Sequence, residues 1–161
     1  MAAAVASAKT DAKPSPSGVD LPSASDMRKV IEQTEAEKLA EAQKKEAAAA
    51  DERKHQEQAF LTRHLTPDFI DTLMHRIREA AKGGATELMV GRFPSTWCTD
   101  AGRKINAPEP SWPDTLQGFA REFYEFWERD LKPRGFHLHV EILDFPGGMP
   151  GDVGAFLSWK A

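Results

Sequence analysis

Reactive side chains gather in two segments, and each segment follows a short run of strand-forming residues. The first segment, "PSTWCTDAGRK" (94–104), contains a thiol, a carboxylate, an indole and two cations, and the second, "PGGMPGD" (146–152), contains three glycines and an acid. Each follows a charged residue and a Phe-Pro pair, in "GRFPS" and "LDFPG". The candidate ligand- or partner-binding residues of this region are Arg92, Trp97, Cys98, Asp100, Arg103, Asp144, Gly147, Gly148 and Asp152.

Several chemistries suit these residue types, but none has a specific signature. Backbone N–H groups of a glycine loop can bind an anion, yet this loop lacks the G-x-x-x-x-G-K-[ST] pattern and leads into a strand, which favours a simple turn. Arg103 and Lys104 beside Trp97 could contact a nucleotide or an acidic peptide, or could lie in an ordinary surface loop. Cys98 near Asp100 could be a nucleophile, but a buried or incidental thiol is the favoured interpretation.

A row of polar side chains alternates along the predicted strand "FHLHVEILDF". His137, His139 and Glu141 have the two-residue spacing that places them on one strand face, where imidazole and carboxylate could bind a metal. The same row is typical of a solvated strand face, which is the favoured interpretation. The other residues expected on this face are Met89, Phe93, Leu143 and Phe145, and they make it a mixed, partly apolar docking surface.

Two helices and three strands are predicted to position these residues. Thr66, Pro67 and Gly83 are the cap residues of a helix over 66–83, with Gly83 in the left-handed conformation. "ELMVGRF" predicts the first strand. An aromatic stripe in "DTLQGFAREFYEFWERDLKPRG" predicts a second, core-forming helix that includes Phe123 and Trp127. "FHLHVEILDF" and "GAFLSWK" are the second and third strands.

The order of these elements predicts an α+β, two-layer sandwich with both helices on one face of a small mixed sheet of three strands. A helix between strands one and two favours a parallel crossover, and the Gly/Pro loop between strands two and three favours a hairpin. Parallel neighbours would bring Arg92 and Asp144 together on the core side of one rim. Because ligands bind beyond the carboxyl ends of parallel strands, that rim is the predicted location of a ligand site.

Composition divides the chain into three parts. Residues 1–25 are rich in Ala, Ser and Pro, which predicts a disordered tail. Residues 26–58 lack Pro and Gly and contain mostly strong helix formers, which predicts a charged helix without the heptad of a coiled coil. That helix would be a tether or a second docking element. Residues 59–161 form the predicted globular domain.

Charge and hydropathy narrow the function classes. A net charge of −4 disfavours binding to nucleic acid, and no apolar run reaches the roughly 18 residues of a membrane helix. A single cysteine excludes an internal disulfide, and no secretion signal is evident, so a cytoplasmic location without a cofactor is expected. The leading hypothesis is a non-enzymatic interaction or adaptor protein with a protein partner, including a second copy bound through the outer sheet face. The alternative is a small enzyme or ligand-binding domain at the carboxyl ends of the two parallel strands.

Overall fold

The structure, a computed structural model, describes residues 18–161. Most of the predicted disordered tail, residues 1–17, lies outside the described residues. The described residues divide into two units, the first ending at Ala50 and the second running from Asp51 to Ala161.

One long helix contains the whole of the predicted charged segment. Helix α1 runs from Ala24 to Thr62. Ser23 begins it with a capping box: its Oγ accepts the N–H of Asp26 at 3.1 Å, and its own N–H donates to the Asp26 carboxylate at 2.9 Å. Residues 24–48 are all exposed, including the large apolar side chains Met27, Val30, Ile31 and Leu39.

The second unit contains the remaining helices and all of the strands found among the described residues. The helices are α2 (Pro67–Lys82), α3 (Arg103–Asn106) and α4 (Gly118–Phe126), and α4 continues as a π-helical turn over Trp127–Leu131. The strands are β1 (Glu87–Pro94), β2 (His137–Ile142) and β3 (Asp152–Ser158). Short 3₁₀ turns lie at Ser95–Trp97, Trp112–Thr115, Lys132–Arg134 and Pro146–Gly148.

Helix α2 has the predicted N-cap. The Thr66 hydroxyl accepts the N–H of Phe69 at 3.2 Å, and Pro67 occupies the first helical position. The predicted left-handed conformation of Gly83 is wrong, because its φ is −78°. Gly84 adopts positive φ instead, at 87°, so the chain leaves the helix one residue later than predicted.

The aromatic stripe of α4 lies in the core, as predicted. Phe123 and Phe126 are buried and pack with Leu73 and Ile77 of α2 and with Leu157 of β3. Trp127 is half-buried, and its indole N–H donates to the carbonyl oxygen of Phe136 at 3.0 Å. The two helices therefore cover the same face of the sheet, and the predicted α+β class is confirmed.

The predicted parallel pairing of strands one and two is wrong. The strand order is β1-β3-β2, and both outer strands pair with β3 in the antiparallel direction. The crossover through α4 leaves a gap one strand wide between β1 and β2, and β3 fills it after the predicted hairpin turn. β1 and β2 still run in the same direction, so their carboxyl ends lie at one end of the sheet.

Strand register assigns each side chain to one of two sheet faces. The inner face packs against the helices and consists of three rows: Leu88–Leu157–Leu138, Gly91–Ala155–Val140 and Phe93–Val153–Ile142. The outer face consists of the alternate rows: Glu87–Ser158–His137, Met89–Phe156–His139 and Arg92–Gly154–Glu141.

A register shift between Met89 and Gly91 corrects two predicted positions. Val90 forms a β-bulge there, so the alternation of faces changes phase within β1. Phe93 is consequently buried on the inner face, and Arg92 lies on the outer face, the reverse of the prediction. The prediction assigned alternate residues of β1 to opposite faces, and this assignment is valid only for a strand without a bulge.

Candidate functional site

Arg92 forms an ion pair at the carboxyl end of β1, but its partner is not the predicted Asp144. The Arg92 Nε donates to Asp152 Oδ2 at 2.7 Å, and this hydrogen bond raises the pKa of the guanidinium. Asp144 Oδ1 accepts the backbone N–H of Asp152 at 2.7 Å. Because β3 lies between β1 and β2, the acid next to Arg92 is Asp152 of β3 and not Asp144. Asp144 instead holds the backbone of Asp152 in place through its hydrogen bond.

The loop over 146–152 turns the chain and is tied to the first segment. Gly147 and Gly148 have φ values of 63° and 79°, and a Cβ on either would meet nothing within 4 Å. Ser95 donates its hydroxyl to the carbonyl oxygen of Pro150 at 2.9 Å and its N–H to that of Gly151 at 2.9 Å. The two predicted loops therefore lie in contact, and the two hydrogen bonds from Ser95 to backbone carbonyl oxygens hold them together.

The Asp100 side chain forms hydrogen bonds with the backbone at the start of a short helix. Its carboxylate accepts the N–H of Gly102 at 3.0 Å and that of Lys104 at 2.8 Å, at the start of α3. Gly102 has φ 82°, and a Cβ there would lie 2.8 Å from that of Ser95. Arg103 is exposed on α3. The acid of this loop therefore orders the loop itself.

Cys98 and Trp97 lie in the core beneath the loop. Cys98 is 4% exposed, and burial raises the pKa of its thiol to about 11, so the thiol is neutral near pH 7. Trp97 packs against Phe60, with ring centroids 4.6 Å apart. Cys98 belongs to the core cluster that contains Ile105 and Leu116, and the partly buried Trp97 packs against that cluster. Packing accounts for them without any nucleophilic chemistry.

The nine predicted residues therefore do not surround one pocket. Only Arg92 among them lines the apolar cavity under the inner face. Sequence reasoning missed the other residues that matter there, above all Arg63, Gly91, Ala120 and Ala155. One signal was present, because a glycine inside a strand pattern indicates a bulge or unusual space nearby.

The outer face has an apolar centre between charged corners. Met89 is 40% exposed, Phe156 is half-buried, and the rings of Phe156 and His139 are 5.8 Å apart. The Leu143 side chain lies over Gly154, where a Cβ would come within 2.7 Å of it. Phe156 was missed because "GAFLSWK" shows no regular alternation of apolar and polar residues.

The candidate metal-binding row lies on this face. His137, His139 and Glu141 project from β2 on the outer side, and His139 Nε2 lies 3.2 Å from Glu141 Oε2. Within residues 18–161, no three His, Cys, Asp or Glu side chains come together as a metal ion would require. In the same residues, no helix combines the length and apolar composition needed to cross a bilayer.

Comparison with known proteins gives no match: no family model, curated protein or solved structure is similar to this chain.

Proposed function

We propose that the protein is a non-enzymatic interaction protein that assembles through its outer sheet face, and that the occupant of this face is a second copy of the chain. The observation that carries the proposal is an exposed central row with basic and acidic side chains alternating at the four corners of the face, where Arg92 is already paired with Asp152 of its own copy. Arg92 and Glu87 lie on β1, and Glu141 and His137 lie on β2. Register places Arg92 level with Glu141 and Glu87 level with His137.

Such a pattern is complementary to itself. A two-fold axis parallel to β3 stacks β1 of one copy over β2 of the other, because the rotation exchanges the two edges of the sheet. Arg92 then faces Glu141 and Glu87 faces His137, each pair occurring twice. A two-fold axis across the strands also opposes unlike charges, with Arg92 over Glu87. Both face-to-face arrangements bring Phe156 against its counterpart.

The central row supplies the apolar area of the contact. Met89, Phe156 and His139 lie side by side between the charged rows. Apolar side chains at the centre and charges at the rim are the usual anatomy of an interface. Their burial would supply affinity, and the corner charges would fix the orientation.

The size of the face predicts a weak complex. Three strands are about 14 Å wide, and seven residues of strand are about 23 Å long. The resulting area of about 320 Å² per partner is well below the roughly 800 Å² of a standard stable interface. We therefore expect a dimer that dissociates in the micromolar range or above. The exposed part of α1 over 24–48 serves in this proposal as a charged tether.

Sedimentation of the full chain over a range of concentrations tests the proposal. The wild type should shift from monomer to dimer in the micromolar range or above, as expected for an interface well below the standard size. Met89→Lys should keep the chain monomeric, because it places a charge at the centre of the contact. Met149→Lys, at an exposed loop methionine, and Leu39→Lys, in α1, are matched controls that should leave association unchanged.

A charge exchange tests the identity of the occupant. Arg92→Glu or Glu141→Arg alone should weaken association. The double variant should recover part of it in the arrangement with the axis parallel to β3, where these two positions face each other, but not in the arrangement with the axis across the strands, where Arg92→Glu opposes Glu87. A chain that stays monomeric at every concentration would rule out the second copy. Equal effects of Met89→Lys and Met149→Lys would rule out the outer face.

A further inference from the structure

A small apolar cavity lies between the inner sheet face and α4. Its volume is about 170 Å³, and aromatic and aliphatic side chains make up most of its wall. Its lining includes residues of both core clusters, the one that contains Leu157 and the one that contains Val153. All of its lining residues belong to the folded unit 51–161.

The cavity exists because the middle row of the inner face is small. Gly91 and Ala155 pair across β1 and β3, between a row of three leucines and a row headed by Phe93. A Cβ on Gly91 would meet nothing within 4 Å. Gly91 is also not among the glycines with positive φ, so its backbone conformation does not require glycine. Ala120 of α4 lines the same space and adds little volume.

A cation lies at the wall of this cavity. The Arg63 guanidinium lies 4.5 Å from the ring centroid of Phe119 and 5.4 Å from that of Phe69, and both rings line the cavity. Arg63 is exposed and forms no ion pair with any residue over 18–161. Glu122 of α4 is engaged elsewhere, by His64 at 2.6 Å and by the N–H of Leu65 at 2.8 Å.

Besides its cations, the lining contains two uncharged polar side chains, Tyr124 with a hydroxyl and Trp112 with an indole N–H. Every buried side-chain nitrogen or oxygen over the described residues already has a hydrogen-bond partner. Arg92 also lines the cavity, but its side chain lies on the outer face, where the guanidinium is paired with Asp152. The lining is otherwise apolar, so it suits a ligand with a mostly apolar body that places one anionic group at Arg63.

We propose that this cavity binds a small aromatic monocarboxylate about the size of benzoate. An apolar protein cavity of about 150 Å³ is large enough for benzene, which sets the size of the ring. The ring occupies the space left by Gly91, Ala120 and Ala155. The carboxylate reaches Arg63, whose planar guanidinium can donate two parallel hydrogen bonds.

Titration of the full chain with three probes tests the assignment. Benzoate carries both the ring and the charge, toluene carries the ring alone, and acetate carries the charge alone. Calorimetry or chemical-shift titration should detect benzoate and toluene, with benzoate tighter, and should detect no saturable binding of acetate.

Two kinds of variant separate the ring from the charge. Gly91→Val and Ala120→Leu fill the cavity and should each weaken benzoate and toluene by at least about tenfold, since the displaced ring has nowhere else to go. Arg63→Gln should weaken benzoate about three- to tenfold, as expected for a partly exposed charged hydrogen bond, and leave toluene unchanged. Arg78→Gln, at an exposed arginine of α2 outside the cavity wall, is the matched control and should change neither.

The binding measurements on the wild type and the variants either support or overturn the proposal. Loss of binding in either filling variant that keeps a native circular dichroism spectrum, together with the selective effect of Arg63→Gln, supports the proposal. The proposal is overturned if neither aromatic probe binds the wild type, or if the filled chains bind as well as the wild type. It is equally overturned if Arg63→Gln and Arg78→Gln have the same effect on benzoate.

Discussion

The two faces of the sheet are built from the same three strands, but their rows are arranged in opposite ways. On the inner face, large apolar rows flank the small row Gly91–Ala155–Val140, and the gap becomes a cavity. On the outer face, charged rows flank the large row Met89–Phe156–His139. One face therefore offers an apolar space and the other an apolar projection. Only the space is suited to a small molecule, whereas the projection is suited to another surface.

The largest expected effect lies beneath the inner face. Phe123→Ala removes a buried ring that packs against Phe69 and Phe126, and should lower the free energy of unfolding by about 3–5 kcal/mol. Phe145→Ala, at a loop phenylalanine that is 50% exposed, is the control and should cost less than about 0.5 kcal/mol. Urea denaturation measures both. Similar losses would show that the inner layer is not the core.

Neighbouring residues of β3 compare the faces directly. Leu157 is fully buried on the inner face, so Leu157→Ala should cost about 2–5 kcal/mol. Phe156 is half-buried on the outer face, so Phe156→Ala should cost only about 1 kcal/mol, although it deletes more atoms. Denaturation at low protein concentration, where the proposed dimer is dissociated, gives both values. A larger loss for Phe156 would mean that the outer face is covered.

Two glycines in adjacent rows should respond with opposite signs. Gly91→Ala adds a methyl group to the cavity and restricts the unfolded chain, so it should raise stability by about 0.5–1 kcal/mol. Gly154→Ala on the outer face drives a methyl group into Leu143 and should lower stability by about 1–3 kcal/mol. Thermal unfolding of the pair decides the comparison. If both substitutions lower stability, Gly91 is packed against neighbouring atoms and does not face an open cavity.

The smallest expected effect concerns the ion pair at the corner of the outer face. Arg92→Ala and Asp152→Ala should each lower stability slightly, and the double variant should cost less than the sum of the two, because both remove one interaction. The exposed pair is screened by salt, so the coupling should vanish near 1 M, where the Debye length is about 3 Å. Coupling that survives high salt would indicate a dry, buried pair. Asp144→Ala should lower stability because it removes the acceptor of the Asp152 backbone N–H, a hydrogen bond that Asp152→Ala retains.

Sequence by itself determined the elements and their apolar faces. The cap at Thr66, the stripe through Phe123 and the glycine turn at 147–148 depend on neighbours within one or two turns, and local chemistry identifies such features. The class of fold followed, since two amphipathic helices and three short strands have few ways to bury their faces.

Tertiary structure alone decided which residues meet. The local sequence does not distinguish a β3 at the edge of the sheet, paired with β2 alone, from a β3 between β1 and β2. Because β3 lies between them, Arg92 pairs with Asp152 and not with Asp144. The bulge at Val90 placed Arg92 on the outer face and Phe93 on the inner face. The alternation of residues along a regular strand predicts the opposite faces. The cavity depends on Gly91, Ala120 and Ala155 from three separate elements, and Arg63 joins it from outside all three. Such contacts are set by the packing of distant segments. Gly91 within a strand pattern is a local signal of the bulge, but the pattern does not identify which residues meet there.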